Sequence, residues 1–186
     1  ELQLRSRSQH AWATAVETVG TFLQQALKSS EGSESWLYFF RLTGSAFALM
    51  EKTPLVPETP TDERELRAAI KQLASKLEVK KTLKAYGQAV QVSSEKVMKS
   101  AYYFLLSFMP SPERLTVYGF RRDQLAQATE RYLEVEKDQA GIIGAQTVLV
   151  SADSLASLRR AYPNYFLDTQ VYMNTLSKFM DNPSSS

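Results

Sequence analysis

The chain opens with three side chains of complementary chemistry on alternate positions: Glu1, Gln3 and Arg5, separated by Leu2 and Leu4. Polar and apolar residues alternating with period two are the pattern of a half-buried strand. That pattern predicts a carboxylate, an amide and a guanidinium on one face. A carboxylate can take a proton from a hydroxyl, and an amide can orient that hydroxyl. A guanidinium can hold a phosphate oxygen with its forked donors. Arg7 continues the alternation if the strand runs that far. His10 follows, the only histidine of the chain. On residue types alone a bland reading stands beside this one: a strand with one solvated face, then an exposed histidine on a helix.

Other chemistries are excluded by what is missing. One histidine rules out a multi-histidine zinc site, and the lack of cysteine rules out disulfides and thiolate metal ligands. Neither a Walker A loop nor a Gly-x-Gly-x-x-Gly or Gly-x-Ser-x-Gly motif occurs. The 186 residues carry a net charge of +2, which gives no electrostatic case for nucleic acid or a membrane surface. Hydrophobic residues make up 44% and charged residues 23%, ordinary values for a globular protein. The longest strongly apolar run, Ala101 to Met109, is far short of a membrane span. No signal-peptide pattern opens the chain and position 1 is not Met, so the chain is expected to be the later part of a longer protein.

The elements that must position these residues follow from periodicity. Ser8 is the expected N-cap of a helix to about Lys28, with Trp12, Val16, Val19, Leu23 and Leu27 inward and His10, Thr14, Glu17, Thr21 and Lys28 opposite. Ser29 to Ser35 reads as a loop. An aromatic-rich helix is expected from Ser35 to Lys52, then a proline-rich connector from Thr53 to Pro60. Thr59 should cap a third helix with Pro60 at its first position and Asp62 in its first turn. The stripe of that helix is Leu66, Ile70, Leu73 and Leu77. A fourth helix carries Leu83, Tyr86 and Val90.

The pattern changes near Val97. Ala101 to Met109 and Leu115 to Phe120 predict an antiparallel hairpin, joined by a five-residue loop, Pro110-Ser-Pro-Glu-Arg114. A helix over about Arg122 to Lys137 should turn Leu125, Ala128, Tyr132 and Val135 inward. Gln146 to Ser151 predicts a third strand, buried on both faces through Val148-Leu149-Val150. Two helices close the chain, the first started by Ser151 or Asp153 and ended by Pro163, the second capped by Asp168. The expected fold class is α+β. One strand and a helical segment occupy residues 1–97, and a small β-β-α-β-α domain occupies residues 98–181.

Glu1-Leu-Gln-Leu-Arg5, followed by His10-Ala-Trp-Ala-Thr14, resembles the Glu-x-Gln-x-Arg segment of the RelA/SpoT family of alarmone synthetases. The likeness is close over about residues 1 to 20 and general in character to about Val97. Ser6 stands where the family more often has Thr. The resemblance implies a bacterial, cytoplasmic GTP pyrophosphokinase of the stringent response, which transfers pyrophosphate from ATP to the 3′ hydroxyl of GDP or GTP and makes (p)ppGpp. It implies Glu1 as catalytic base, Gln3 orienting the base or the ribose, and Arg5 and Arg7 holding phosphate. It further implies that His10 and Ala13 lie where the helix approaches the guanine nucleotide. The cofactor it implies is Mg²⁺. In the family the metal-binding acidic residue, the ATP-contacting basic residues and the guanine-stacking aromatic come before this motif. These residues alone are therefore expected not to synthesise alarmone, and the first strand, lacking its sheet neighbours, is expected to be frayed or paired elsewhere.

Two alternatives from other classes stand beside this. A toxin-like relative would pyrophosphorylate a tRNA 3′ end. A non-catalytic module, residues 98–181, would serve binding or homo-oligomerisation. The aromatic group Tyr102, Tyr103, Phe104, Phe108, Tyr118 and Phe120 reads as hairpin core rather than a base-stacking platform. The pairs Arg121-Arg122 and Arg159-Arg160 read as solvated helix-end features, and Lys80-Lys81-Thr-Leu-Lys84 as a solvated face.

Overall fold

The structure, a computed structural model, describes residues 4–25, 30–92, 100–110, 113–142, 145–161 and 165–181. Among them are seven helices and three strands. In chain order these are α1 (Arg7–Gln25), α2 (Ser30–Glu51), α3 (Glu63–Lys76), α4 (Val79–Val92), β1 (Tyr103–Pro110), β2 (Glu113–Phe120), α5 (Leu125–Asp138), β3 (Gln146–Ser151), α6 (Ala152–Ala161) and α7 (Tyr165–Asp181). The class is α+β, as expected. The chain forms two compact units, Glu1–Val16 with Ser30–Lys80 and Asn164–Ser186, and Glu17–Ser29 with Lys81–Pro163. These units interleave along the sequence, because α7 packs with α2 and α3. The continuous division at Val97 is a different partition, and Val97 itself lies outside the described residues.

In the first unit α1 begins earlier than its predicted cap. Ser6 Oγ accepts from the Gln9 backbone N–H at 3.1 Å, and Gln9 Oε1 accepts from the Ser6 N–H at 3.2 Å. This reciprocal pair is a capping box and makes Ser6, not Ser8, the N-cap. Arg7 is therefore the first helical residue rather than a continuation of a strand. Leu4 to Ser6 are neither helix nor strand. Of the expected first strand, Glu1 to Gln3 lie outside the described residues.

The buried stripe of α1 also differs from the expected one. It runs through Ala11, Thr14, Ala15, Thr18, Val19 and Phe22, while Trp12, Val16 and Leu23 sit half-buried on its flank. Small side chains let a helix approach its neighbours closely. Thr14 is fully buried because its hydroxyl donates to the His10 carbonyl at 3.0 Å, which removes the cost of hiding it. Trp12 instead uses its ring: Nε1 donates to the Phe40 carbonyl at 3.1 Å.

Helix α2 starts well before the predicted Ser35, so the expected loop from Ser30 onward is helical. Trp36, Phe39, Phe40 and Phe47 fill its inner face. Tyr172 of α7 packs against Phe40 and Phe47 and donates its hydroxyl to Thr43 Oγ1 at 3.1 Å. The proline-rich connector is held by a closed ring of bonds. Val56 N–H donates to Ser45 Oγ (2.9 Å), Ser45 bonds Thr59 Oγ1 (2.6 Å), and Thr59 donates to the Val56 carbonyl (2.7 Å). Thr59 is thus spent on the connector, and Asp62 caps α3 by accepting from Glu65 N–H at 2.9 Å. Leu66 and Ile70 are the buried part of the α3 stripe.

In the second unit the sheet order is β2-β1-β3, all antiparallel. The β1–β2 ladder runs to Pro110↔Glu113, so the hairpin link is tighter than the five residues expected. Registers Leu105↔Tyr118 and Leu105↔Leu149 set one face against Ala128, Tyr132 and Val135 of α5. Leu125, expected inward, is exposed, because Arg122–Gln124 form a 3-10 turn and α5 proper starts only there. The opposite face presents Phe104, Leu106, Phe108, Val148 and Val150, all buried. Val148, Leu149 and Val150 are buried in succession, so β3 is covered on both faces as predicted. Gln146 ties this face to α4, accepting from the Tyr86 hydroxyl and donating to Thr82 Oγ1, each at 2.9 Å. Tyr86 in turn stacks on Phe22 at 4.1 Å between ring centroids.

Candidate functional site

The candidate site is the start of α1. Glu1 and Gln3 lie outside the described residues. Arg5 and Arg7 are exposed, and Arg7 stands at the helix N-terminus with no acidic residue in the first turn. The positive end of the helix dipole lies there, capped by the Ser6–Gln9 box. His10 follows one turn later on the side reached from Arg7, and Ala13, half-buried, comes one turn after that. Of the expected site residues, Arg7, His10 and Ala13 lie on successive turns of α1, with Arg7 and Ala13 about 120° apart around the helix.

Two carboxylates that sequence reasoning did not connect to this segment hold it in place. Glu51, the last residue of α2, accepts from Ser6 Oγ at 2.5 Å and from Gln9 Nε2 at 2.9 Å. One side chain thereby grips both members of the capping box. Asp168 of α7 brings Oδ2 within 3.3 Å of His10 Nε2; the carboxylate side chain is 14% exposed and the imidazole 48%. Asp168 sits in the first turn of α7 rather than at its cap, since the helix starts at Tyr165. The Ser-x-x-Gln box was legible in the sequence. Glu51 and Asp168 were not, because only tertiary packing brings them to α1.

No model of a known protein family matches the chain. No curated protein matches it either.

A second polar group lies on the sheet unit. Arg122 stacks over the Tyr102 ring at 4.4 Å and donates to its hydroxyl at 3.2 Å. Tyr102 bonds Asp153, which also lies 3.9 Å from Arg122. The hydrogen bond to Tyr102, more than the charge of Asp153, raises the Arg122 pKa above its already high ordinary value. Arg121 pairs with Asp123 at 3.2 Å, and that bond lowers the Asp123 pKa. Both arginines are engaged by their own neighbours, which makes them a paired surface feature rather than an open basic patch. The hairpin aromatics follow suit. Phe104 and Phe108 are core, while Tyr103, Tyr118 and Phe120 pack against the Leu105 cluster.

Among the described residues no group of three or more His, Asp or Glu side chains could hold a metal ion. No helix among them is long and apolar enough to cross a membrane.

Proposed function

We propose that this chain is the C-terminal portion of a RelA/SpoT-type synthetase that transfers pyrophosphate from ATP to the 3′ hydroxyl of GDP or GTP. The observation that carries the reading is the segment Glu1-Leu-Gln-Leu-Arg5 running directly into a helix that bears His10-Ala-Trp-Ala-Thr14. In this reading Glu1 takes the proton from the ribose hydroxyl as it attacks. Gln3 orients that hydroxyl or the base. Arg5 and Arg7 neutralise phosphate charge, an electrostatic task that dominates phosphoryl-type transfer. His10 and Ala13 lie along the guanine nucleotide. Mg²⁺, where bound, would supply further neutralisation of phosphate charge; no group among the described residues could hold it.

The test is made on the intact protein that carries these residues. Incubated with labelled ATP and either GDP or GTP, it should yield (p)ppGpp, separable by anion-exchange chromatography. Glu1→Gln should lower kcat by about 10²–10⁴-fold, the usual contribution of a general base, with the fold unchanged by circular dichroism. Label appearing on tRNA and not on GDP or GTP would instead favour the tRNA-modifying alternative. Absence of any transfer by the wild-type protein would overturn the reading.

A further inference from the structure

The side chain of His10 meets a neighbour from the last helix of the chain. Its Nε2 lies 3.3 Å from Oδ2 of Asp168 in the first turn of α7. That oxygen is buried, and its approach to the imidazole falls in ion-pair range without the alignment of a full hydrogen bond. Hiding a carboxylate oxygen is costly unless something compensates it. The positive end of the α7 dipole offsets part of that cost, and the His10 imidazole stands 3.3 Å away.

We propose that Asp168 is a positioning residue that holds the His10 imidazole for the guanine nucleotide. The proposal rests on the reading of His10 as a nucleotide contact. The carboxylate takes the Nε2 proton as its bond, which selects one ring tautomer and one ring orientation. Orientation matters because a purine edge is read by directional hydrogen bonds, and a ring free to flip presents donor and acceptor in turn. Holding the imidazole in advance removes that uncertainty from the binding step. Asp168 touches neither nucleotide nor reacting atoms; it acts through His10. Nothing in the Glu-x-Gln-x-Arg segment points to it.

Two measurements test this, and they fail separately from the proposed activity. Because the chain has one histidine, its imidazole nitrogens give a single set of NMR signals. In ¹⁵N-labelled chain the Nε2–H form should dominate, with a proton signal protected from exchange. Asp168→Ala should broaden that signal while the dispersed backbone spectrum persists, and Asp168→Asn, which keeps an acceptor of the same shape, should retain part of it. An imidazole spectrum unchanged in both variants would overturn the proposal, whatever reaction the protein performs. In the intact synthetase, Asp168→Ala should raise KM for GDP or GTP about tenfold with KM for ATP unchanged, a coupling of the size measured between contacting side chains. Placed on a His10→Ala background, it should add less than about twofold. An Asp168→Ala effect of the same size with and without His10 would mean that Asp168 serves packing alone, and the proposal would fall.

Discussion

Ser6 and Gln9 spend their side chains on each other's backbone N–H groups, and both then reach Glu51. The start of α1 is thereby fixed at Arg7, and with it the direction in which Arg7 and His10 leave the helix. Ser6→Ala removes the cap acceptor and one Glu51 bond. We expect it to cost about 1 kcal/mol, a usual value for a lost N-cap, read as a lowered urea midpoint with unchanged slope. Ser6→Thr should be nearly neutral, because threonine caps as well and can still reach Glu51. The box itself was legible from Ser6 and Gln9, three residues apart. Ser8 is a cap only if Arg7 still belongs to the strand, and the capping bonds make Arg7 helical.

Helix faces were read less well than helix positions. The spacing of the large apolar residues predicts one stripe for α1, whereas the buried line is mostly Ala and Thr. A hydrophobicity pattern favours bulk, but a crowded helix interface favours small side chains and hydroxyls that bond their own backbone. Gly44 of α2 marks such a close approach: a Cβ there would meet Val56 Cγ2 at 3.2 Å and the Trp12 ring at 3.7 Å. Gly44→Val should therefore cost about 1–3 kcal/mol through overpacking, seen as a lower melting temperature. The sheet has a comparable polar fastening. Gln139, just past α5, donates to Ser107 Oγ and accepts from Thr147 Oγ1, both at 2.7 Å, across a cross-strand pair. Gln139→Ala strands two inward hydroxyls and should cost about 1–3 kcal/mol. Gln139→Glu keeps the acceptor for Thr147 but loses the donor for Ser107, and should fall between. Strand β3 was predicted with its observed ends because three consecutive β-branched or leucine residues flanked by polar ones leave little choice.

At the scale of the whole molecule, each compact unit hides a tyrosine. Tyr172 in the first is fully buried, and burial pushes its phenol well above the ordinary value, with the bond to Thr43 acting weakly the other way. Tyr132 in the second is raised by burial first and by its 2.8 Å bond to Glu136 second. Both groups bind their proton more tightly folded than unfolded. Unfolded tyrosine titrates near pH 10, so this contribution is complete below about pH 10. Above that the unfolded chain holds fewer protons than the native one, and stability falls as pH rises. Denaturant midpoints measured from pH 8 to 11 should decline over the upper part of the range. Tyr172→Phe should flatten that decline while lowering the midpoint at pH 8 by the lost hydroxyl bond. A decline of the same steepness in the variant would assign the alkaline loss to other groups.

The amino-acid sequence by itself determined the local matters: the order of helices and strands from Arg7 onward, the α+β class, the hairpin, strand β3, and the inward Ala128, Tyr132 and Val135 of α5. Each depends on residues within one or two turns, where side-chain period and backbone preference act directly. Tertiary structure decided which face of α1 is buried, which carboxylates reach it, and that α7 packs with α2 and α3. Those outcomes depend on residues distant in the chain meeting at a surface, and the cost of burying Tyr172 is offset only by the Thr43 hydroxyl it finds there.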